Sequence, residues 1–455
     1  MRRIVELILI AGGTMVSICS GQPLMDQVNF ESGQLGGGLH IIGVSVFSGY
    51  STSAYPQAGY IFPGSAAGLG GDENYGATFS VGWQNHGQNG ELSVLYSGTY
   101  AGQVRYSNLN AYNQTLSLGA SHKLGQKWTF SLNAVGSDMT LAQYLYQPSP
   151  LNVITQVPAT FDDLAAAVGA GQYTNTQVAA LLTGSPILQA PGRSLLLANR
   201  VLSYTGSAGL SYQASPRLQV HLDGSVSAGQ SLLSNQDEEN LTPGTYLMPR
   251  TLGANAQMGV SYLLDPLTQV GFDVTESRTL NHFEDIYGTT ATVSLGRKIA
   301  QRWFLNVHGG GTYDVVEQQT IGTPIGRQVV GGASLGFRTL SNTFLASYDR
   351  TGADGYGVAV GTITTASGSW SWRLPGSKWG LSASFGDQQT RNAGFVSLSG
   401  WEGSGGVNFA INPHASVTAQ YVYMNNAGTY LGTYGSMAIQ SVRLSLAWAP
   451  QTLQR

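Results

Sequence analysis

Trp128-Thr129-Phe130-Ser131-Leu132-Asn133-Ala134 alternates apolar and small polar residues without a break. A period of two puts successive side chains on opposite faces, so this stretch is a strand with one apolar and one polar face. The same pattern returns along the chain. Leu218-Gln219-Val220-His221-Leu222-Asp223 is a second copy, and Val442-Arg443-Leu444-Ser445-Leu446-Ala447-Trp448 is the last. Many copies carry Trp, Tyr or Phe next to a tight polar turn. A soluble β-protein could be written this way too, so the rest of the chain decides which solvent the apolar face meets.

Only 10% of the 455 residues are charged, against about 25% in ordinary soluble domains. A soluble protein of this length would lack the charge to cover its surface, whereas a barrel in lipid needs an apolar exterior. The net charge of −3 gives no electrostatic case for nucleic acid or acidic lipid as partners. No run approaches the ~18 consecutive apolar residues of a membrane helix, so any crossing is made by strands. The N-terminus reads Met1-Arg2-Arg3, then Ile4 to Val16 interrupted by Glu6, then Ser17-Ile18-Cys19-Ser20-Gly21. A positive start, an apolar stretch and a small-residue exit predict a secretory signal peptide over 1–21, followed by a short periplasmic lead over 22–35. Cys19 is the sole cysteine, so no internal disulfide can form. Ile18 stands where a small residue precedes a lipidated cysteine, which argues against a lipid anchor.

Residues 36–450 read as strands and turns, with 451–455 as a tail. Short connections such as His122–Lys127, Ala214–Arg217, Asp265–Thr268, Lys298–Arg302, Leu374–Lys378 and Asn412–His414 carry the Pro, Gly, Asn and Asp of turns. Longer linkers fall between them. Short periplasmic turns alternating with long external loops are the plan of an up-and-down transmembrane barrel. The fold class is therefore all-β, an antiparallel transmembrane barrel of about eighteen strands, with sixteen as the alternative. Its least regular strand candidates are His40–Phe47, Tyr356–Trp372 and Phe395–Ile411. Six of the eight Trp, namely Trp83, Trp128, Trp303, Trp372, Trp379 and Trp448, lie near a short turn or the C-terminus. On the lipid face they would form an aromatic girdle at the inner interface. The connection over 136–193 is far longer than the others and holds Asp162-Asp163 ahead of an Ala-rich run, a helix-start pattern. It is expected on the extracellular side, either narrowing the pore or decorating its mouth.

The polar phase of the strands is mostly Ser, Thr, Asn, Gln and Gly, a wall that holds water in a large barrel. Its charged members are His221, Asp223, Asp273, His308, Asp349 and Arg443, the candidates for lumen-lining sites, while Arg297, Arg338 and Arg373 fall near strand ends. They form no ring of one sign, so strong ion selectivity is not indicated. His221 and Asp223 share a face and suit either a general-base pair or a network tying strands together; the network is the simpler reading, because no serine stands out as a nucleophile. His308 with Asp314 and Glu317 is too loosely spaced for a metal site. Asp237-Glu238-Glu239 is an external acidic cluster that suits cation bridges to lipopolysaccharide or a plain solvated loop. Gly36-Gly37-Gly38 and Gly309-Gly310-Gly311 lack the Lys and Ser/Thr of a phosphate loop. No cofactor, metal or catalytic residue is expected.

The signal, the repeated hairpins and the terminal amphipathic strand resemble porin-like bacterial outer-membrane barrels over the whole mature chain, and in size exopolysaccharide-export barrels. The likeness rests on pattern rather than on one motif. The C-terminus departs from it, since Trp448 is followed by Ala449-Pro450-Gln451-Thr452-Leu453-Gln454-Arg455 instead of ending the chain. The resemblance implies a non-enzymatic outer-membrane channel for passive or gated diffusion of small polar solutes. Export of a polysaccharide, a structural or adhesive barrel, and a lumen hydrolase are the alternatives, in that order. The partners it implies are outer-membrane lipid and lipopolysaccharide, the barrel-insertion machinery, and a second copy in a homo-oligomer, with no nucleic acid.

Overall fold

The computed structural model describes residues 38–52, 70–105, 107, 110–140, 200–231, 250–280, 284–299, 302–319, 326–339, 341–354, 360–373, 376–392, 396–412, 414–430 and 433–448. The strands are β1 (Gly38–Ser51), β2 (Asp72–His86), β3 (Gly90–Gln103), β4 (Ala111–Leu124), β5 (Trp128–Thr140) and β6 (Arg200–Ser215). β7 (Leu218–Ser231), β8 (Thr251–Asp265), β9 (Thr268–Leu280), β10 (Glu284–Ile299), β11 (Trp303–Gln319) and β12 (Arg327–Arg338) follow. β13 (Asn342–Asp354), β14 (Val360–Arg373), β15 (Trp379–Asn392), β16 (Val396–Asn412), β17 (Ala415–Tyr430) and β18 (Thr433–Trp448) complete the set. Each strand pairs antiparallel with the next, and β1 pairs with β18 from Val44↔Trp448 to Ser51↔Ser441. The sheet of eighteen strands is thus closed, and no edge is left to satisfy in lipid.

Most strands run past the sequence expectation. β5 continues through Gly136–Thr140, residues that the alternation alone gives to the long connection; Ser137 Oγ lies 2.5 Å from Ser203 Oγ on β6. The irregular candidates resolve into β1, β14 and β16, with bulges between Ile41 and Gly43 on β1 and between Ala410 and Asn412 on β16; their residues 356–359 and 395 lie outside the described residues. The signal peptide, the lead, the rest of the long connection, Asp237–Glu239 and the tail lie outside the described residues.

The short turns close by side-chain chemistry. Leu267 donates its amide to Asp265 Oδ1 at 2.7 Å, and this bond holds the exposed Asp265 carboxyl below the usual carboxylate range. His414 donates to Asn412 Oδ1 at 2.8 Å, and Arg217 and Leu218 donate to Ser215 Oγ at 3.2 and 3.1 Å. Gly125 and Gly376 sit at φ +76° and +77° in their turns, the left-handed region that favours glycine.

Alternation then sorts the faces. Phe130, Leu132, Leu222, Leu444 and Leu446 are exposed, while Ser117, Ser225 and Ser334 on the opposite face are fully buried. In water an exposed apolar surface of this extent would drive association; in a bilayer it is the required exterior. A closed antiparallel barrel with an apolar outer band is the architecture with which bacterial outer-membrane proteins cross lipid, and the chain is a barrel of that kind.

Candidate functional site

The inward face is the candidate site, and its geometry follows from register. Residues directly opposite on neighbouring strands lie close enough for hydroxyls to meet. Thr78–Thr99, Thr290–Thr312, Ser347–Ser367 and Ser384–Ser404 are such pairs, at 3.3, 2.8, 2.6 and 2.6 Å. Asn408 donates to Thr418 Oγ1 at 2.9 Å in the same manner. Much of the inward wall is thus a neutral lattice of short polar side chains bonded across the strands.

Charged residues interrupt this lattice at particular places. His221 Nε2 on β7 lies 2.9 Å from Asp273 Oδ1 on β9, and 4.0 Å from Asp223 Oδ2 on its own strand. The nearer partner is therefore Asp273, two strands away, and not the sequence neighbour Asp223. Gln257 on β8 also donates to Asp273 Oδ1, at 3.2 Å. Reaching across β8 is possible because Gly259 stands in register with both His221 and Asp273. A Cβ at Gly259 would collide with the Asp273 carboxylate and the His221 ring.

The same construction recurs on β11–β13. His308 Nε2 lies 3.4 Å from Asp349 Oδ1, and the residue between them in register is Gly332. A Cβ at Gly332 would sit 2.8 Å from His308 Cε1. His308 is thus matched with Asp349 and not with Asp314, which instead faces Gln328 Nε2 at 3.5 Å. The Glu317 side chain lies outside those described. Among the described residues no group of three or more His, Cys, Asp or Glu is arranged to hold a metal ion.

Arg443 also faces inward. It is 5 % exposed, and its guanidinium carbon lies 3.7 Å from the centre of the Phe47 ring. Of the basic residues near strand ends, Arg338 and Arg373 follow the inward phase, whereas Arg297 follows the outward phase of Val293 and Leu295, leaving Lys298 as the inward neighbour. The inward face also holds bulky apolar residues that its polar sequence phase hides. Phe304 packs against Gly336, where no Cβ would fit, and Val422, Met424 and Ile439 form a buried apolar cluster.

On the outer face Trp83, Trp128, Trp303, Trp372, Trp379 and Trp448 stand in the outward phase near the short-turn ends. Three of them stack on ring partners that sequence reasoning passed over: Trp128 on Tyr212, Trp303 on Phe337 and Trp379 on Phe409, with centroids 4.5, 4.4 and 4.6 Å apart. These partners are opposite in register, so the signal that finds them is the strand pairing and not the spacing in the chain.

No protein-family model matches the chain, and no curated protein matches it either. Solved barrels align over nearly its whole length at low identity. The outer-membrane protein OpdK of Pseudomonas aeruginosa is 10% identical over 90% of this chain and 98% of its own, with a TM-score of 0.44. OccK9 (OpdG) of the same organism is 13% identical over 90% and 97%, also at 0.44. A bacterial polysaccharide outer membrane secretin is 8% identical over 90% and 99%, at 0.33. At these scores the strand pairing within the chain, and not the superpositions, carries the fold.

Proposed function

We propose that the barrel is a non-enzymatic outer-membrane channel that passes small polar solutes by passive or gated diffusion. The observation that carries this reading is the inward wall itself. Eighteen strands close a barrel of the size that leaves an aqueous channel, and its wall offers hydroxyl pairs with only scattered charges. Polar atoms bonded to one another across strands hold the wall open and neutral, so water and solutes meet no ring of one sign. A hydrolase at His221 has less support, since its Nε2 is directed to the Asp273 carboxylate and not to a serine hydroxyl. Current recording on the purified full-length protein in a planar bilayer tests the reading. Discrete steps with ohmic conductance are expected; inserted, heat-modifiable protein that gives no steps overturns it. Deleting residues 151–191 should raise the step size if the long connection narrows the pore, and leave it unchanged if that connection is external decoration.

Lipopolysaccharide is the partner we propose for the outer rim. There, on the outward phase of β9 and β10, Arg278 grips Asp285 through Nε and Nη2 at 3.1 and 2.8 Å and lies over the Tyr287 ring, while Thr289 donates to Glu276. An ionic and aromatic patch on the outward face suits a headgroup layer and not the hydrocarbon below it. The insertion machinery and a homo-oligomer belong to the same reading as the ordinary needs of such a barrel.

A further inference from the structure

The two His–Gly–Asp triplets are one device built twice, and between them they hold most of the charge on one stretch of the inward wall. Among the described side chains of β7–β13, the inward Lys and Arg are Lys298 and Arg338, both at the short-turn ends of their strands. Among the described side chains, Asp223, Asp273 and Asp349 stand mid-wall with imidazoles as their ion-pair partners.

The β11–β13 triplet adds an independent observation. Asp349 Oδ1 faces His308 at 3.4 Å but makes no hydrogen bond. Ser334 Oγ and Asn306 Oδ1, each two residues from Gly332 or His308 on the same face, are also without hydrogen-bond partners. Ser334 is 2 % exposed. Asn306 and Ser334 are in register with each other, and His308, Gly332 and Asp349 form the next inward row. Three unsatisfied oxygens thus sit on three adjacent strands, around Gly332 and the His308 ring that lies over it. Buried acceptors without donors are costly and uncommon, and this set asks for donors and for positive charge.

A primary ammonium supplies three N–H donors and one charge. We infer that the Asp349–Ser334–Asn306 station binds the ammonium group of amine-bearing solutes as they permeate. The His221–Asp223–Asp273 cluster is a second station of the same chemistry, separated from the first around the wall by β10. There Asp223, its side chain 49 % exposed, is the carboxylate presented to the solute. The inference rests on the channel reading and names its substrate class.

The test records single-channel current from the full-length barrel, with n-butylammonium, n-butanol and butyrate as probes at constant ionic strength. Butylammonium should interrupt the wild-type current, and butanol and butyrate should not. Asp349→Asn keeps the side-chain shape and should raise the half-blocking concentration about tenfold, the scale of one charge-assisted hydrogen bond; Ser334→Ala should raise it a few fold. Glu73→Gln removes an equal charge from the exposed outward face of β2 and should leave the block unchanged. Equal block by butylammonium in wild type and both inward variants overturns the inference while the channel reading stands, and so does equal block by butanol. A fall in potassium-over-chloride preference in Asp349→Asn with unchanged butylammonium block makes the station one for alkali cations, and overturns the amine assignment. If Asp349→Asn loses heat-modifiable mobility, Ser334→Ala decides. Absence of current steps from inserted wild-type protein overturns the channel reading and this inference together.

Discussion

On β5 and β6 the inward residues meet as Ser137 and Ser203, directly opposite and 2.5 Å apart, whereas on β7–β9 His221 passes over a strand to reach Asp273. Both regions use the same pleat and spacing. A short hydroxyl spans one inter-strand gap, so a row of Ser and Thr bonds only to its nearest neighbours. An imidazole and a carboxylate together span two gaps, but only if the strand between them contributes no side chain. Glycine therefore has different work in the two regions. Gly259 is the opening through which a charged pair forms, whereas Gly386, inward on β15, has nothing within 4 Å of where a Cβ would stand. Wherever hydroxyls are paired the wall is neutral and locally satisfied. Wherever glycine lets charges cross a strand, the wall carries a field.

The largest test of this contrast concerns the faces on which it depends. Leu222 is outward between inward His221 and Asp223. Leu222→Arg should cost ~2–4 kcal/mol if the residue lies near the midplane, as read from urea unfolding in lipid vesicles; a neutral result would invert both walls. Next in size is Gly259→Ala. Its methyl displaces flexible side-chain ends and not backbone, so the barrel should still close, and the lost His221–Asp273 pair should cost about 1 kcal/mol in the same measurement. If stability is unchanged or rises, the opening has no structural role. Ser137→Ala should cost a comparable ~1 kcal/mol or less by stranding the Ser203 hydroxyl. The double variant Ser137→Ala, Ser203→Ala should recover part of that loss, and strict additivity would show that the hydroxyl pair is not coupled. The smallest effect belongs to Gly386→Ala, which should remain within about 0.5 kcal/mol of wild type. A cost equal to that of Gly259→Ala would erase the distinction between the two kinds of glycine.

Much of the fold was legible because its signal is local. Period-two writing identifies a strand from its own residues, as Trp128 to Ala134 shows, and Pro, Gly, Asn and Asp mark the short turns. Eighteen was the count that these signals favoured over sixteen, and it is the number of strands in the closed sheet. Strand ends were less legible. At Gly136–Thr140 the alternation weakens, and it is pairing with β6 that keeps the chain extended. The inward charged residues could be named from their phase, but not matched. His221 was set beside Asp223 by sequence distance and lies nearer to Asp273; His308 was set beside Asp314 and Glu317 and meets Asp349. Ring partners of the tryptophans were missed for the same reason.

By itself the sequence determined the class of solvent on each face, the presence of strands and turns, and which side chains point the same way, since these depend on residues within a few positions of one another. Only the tertiary structure decided the register in which neighbouring strands pair, and hence that Gly259 and Gly332 each stand between a histidine and an aspartate. Register is a relation between distant segments, fixed when the sheet closes on itself. It is the closure from β18 back to β1 that turns a list of polar residues into a wall with particular neighbours.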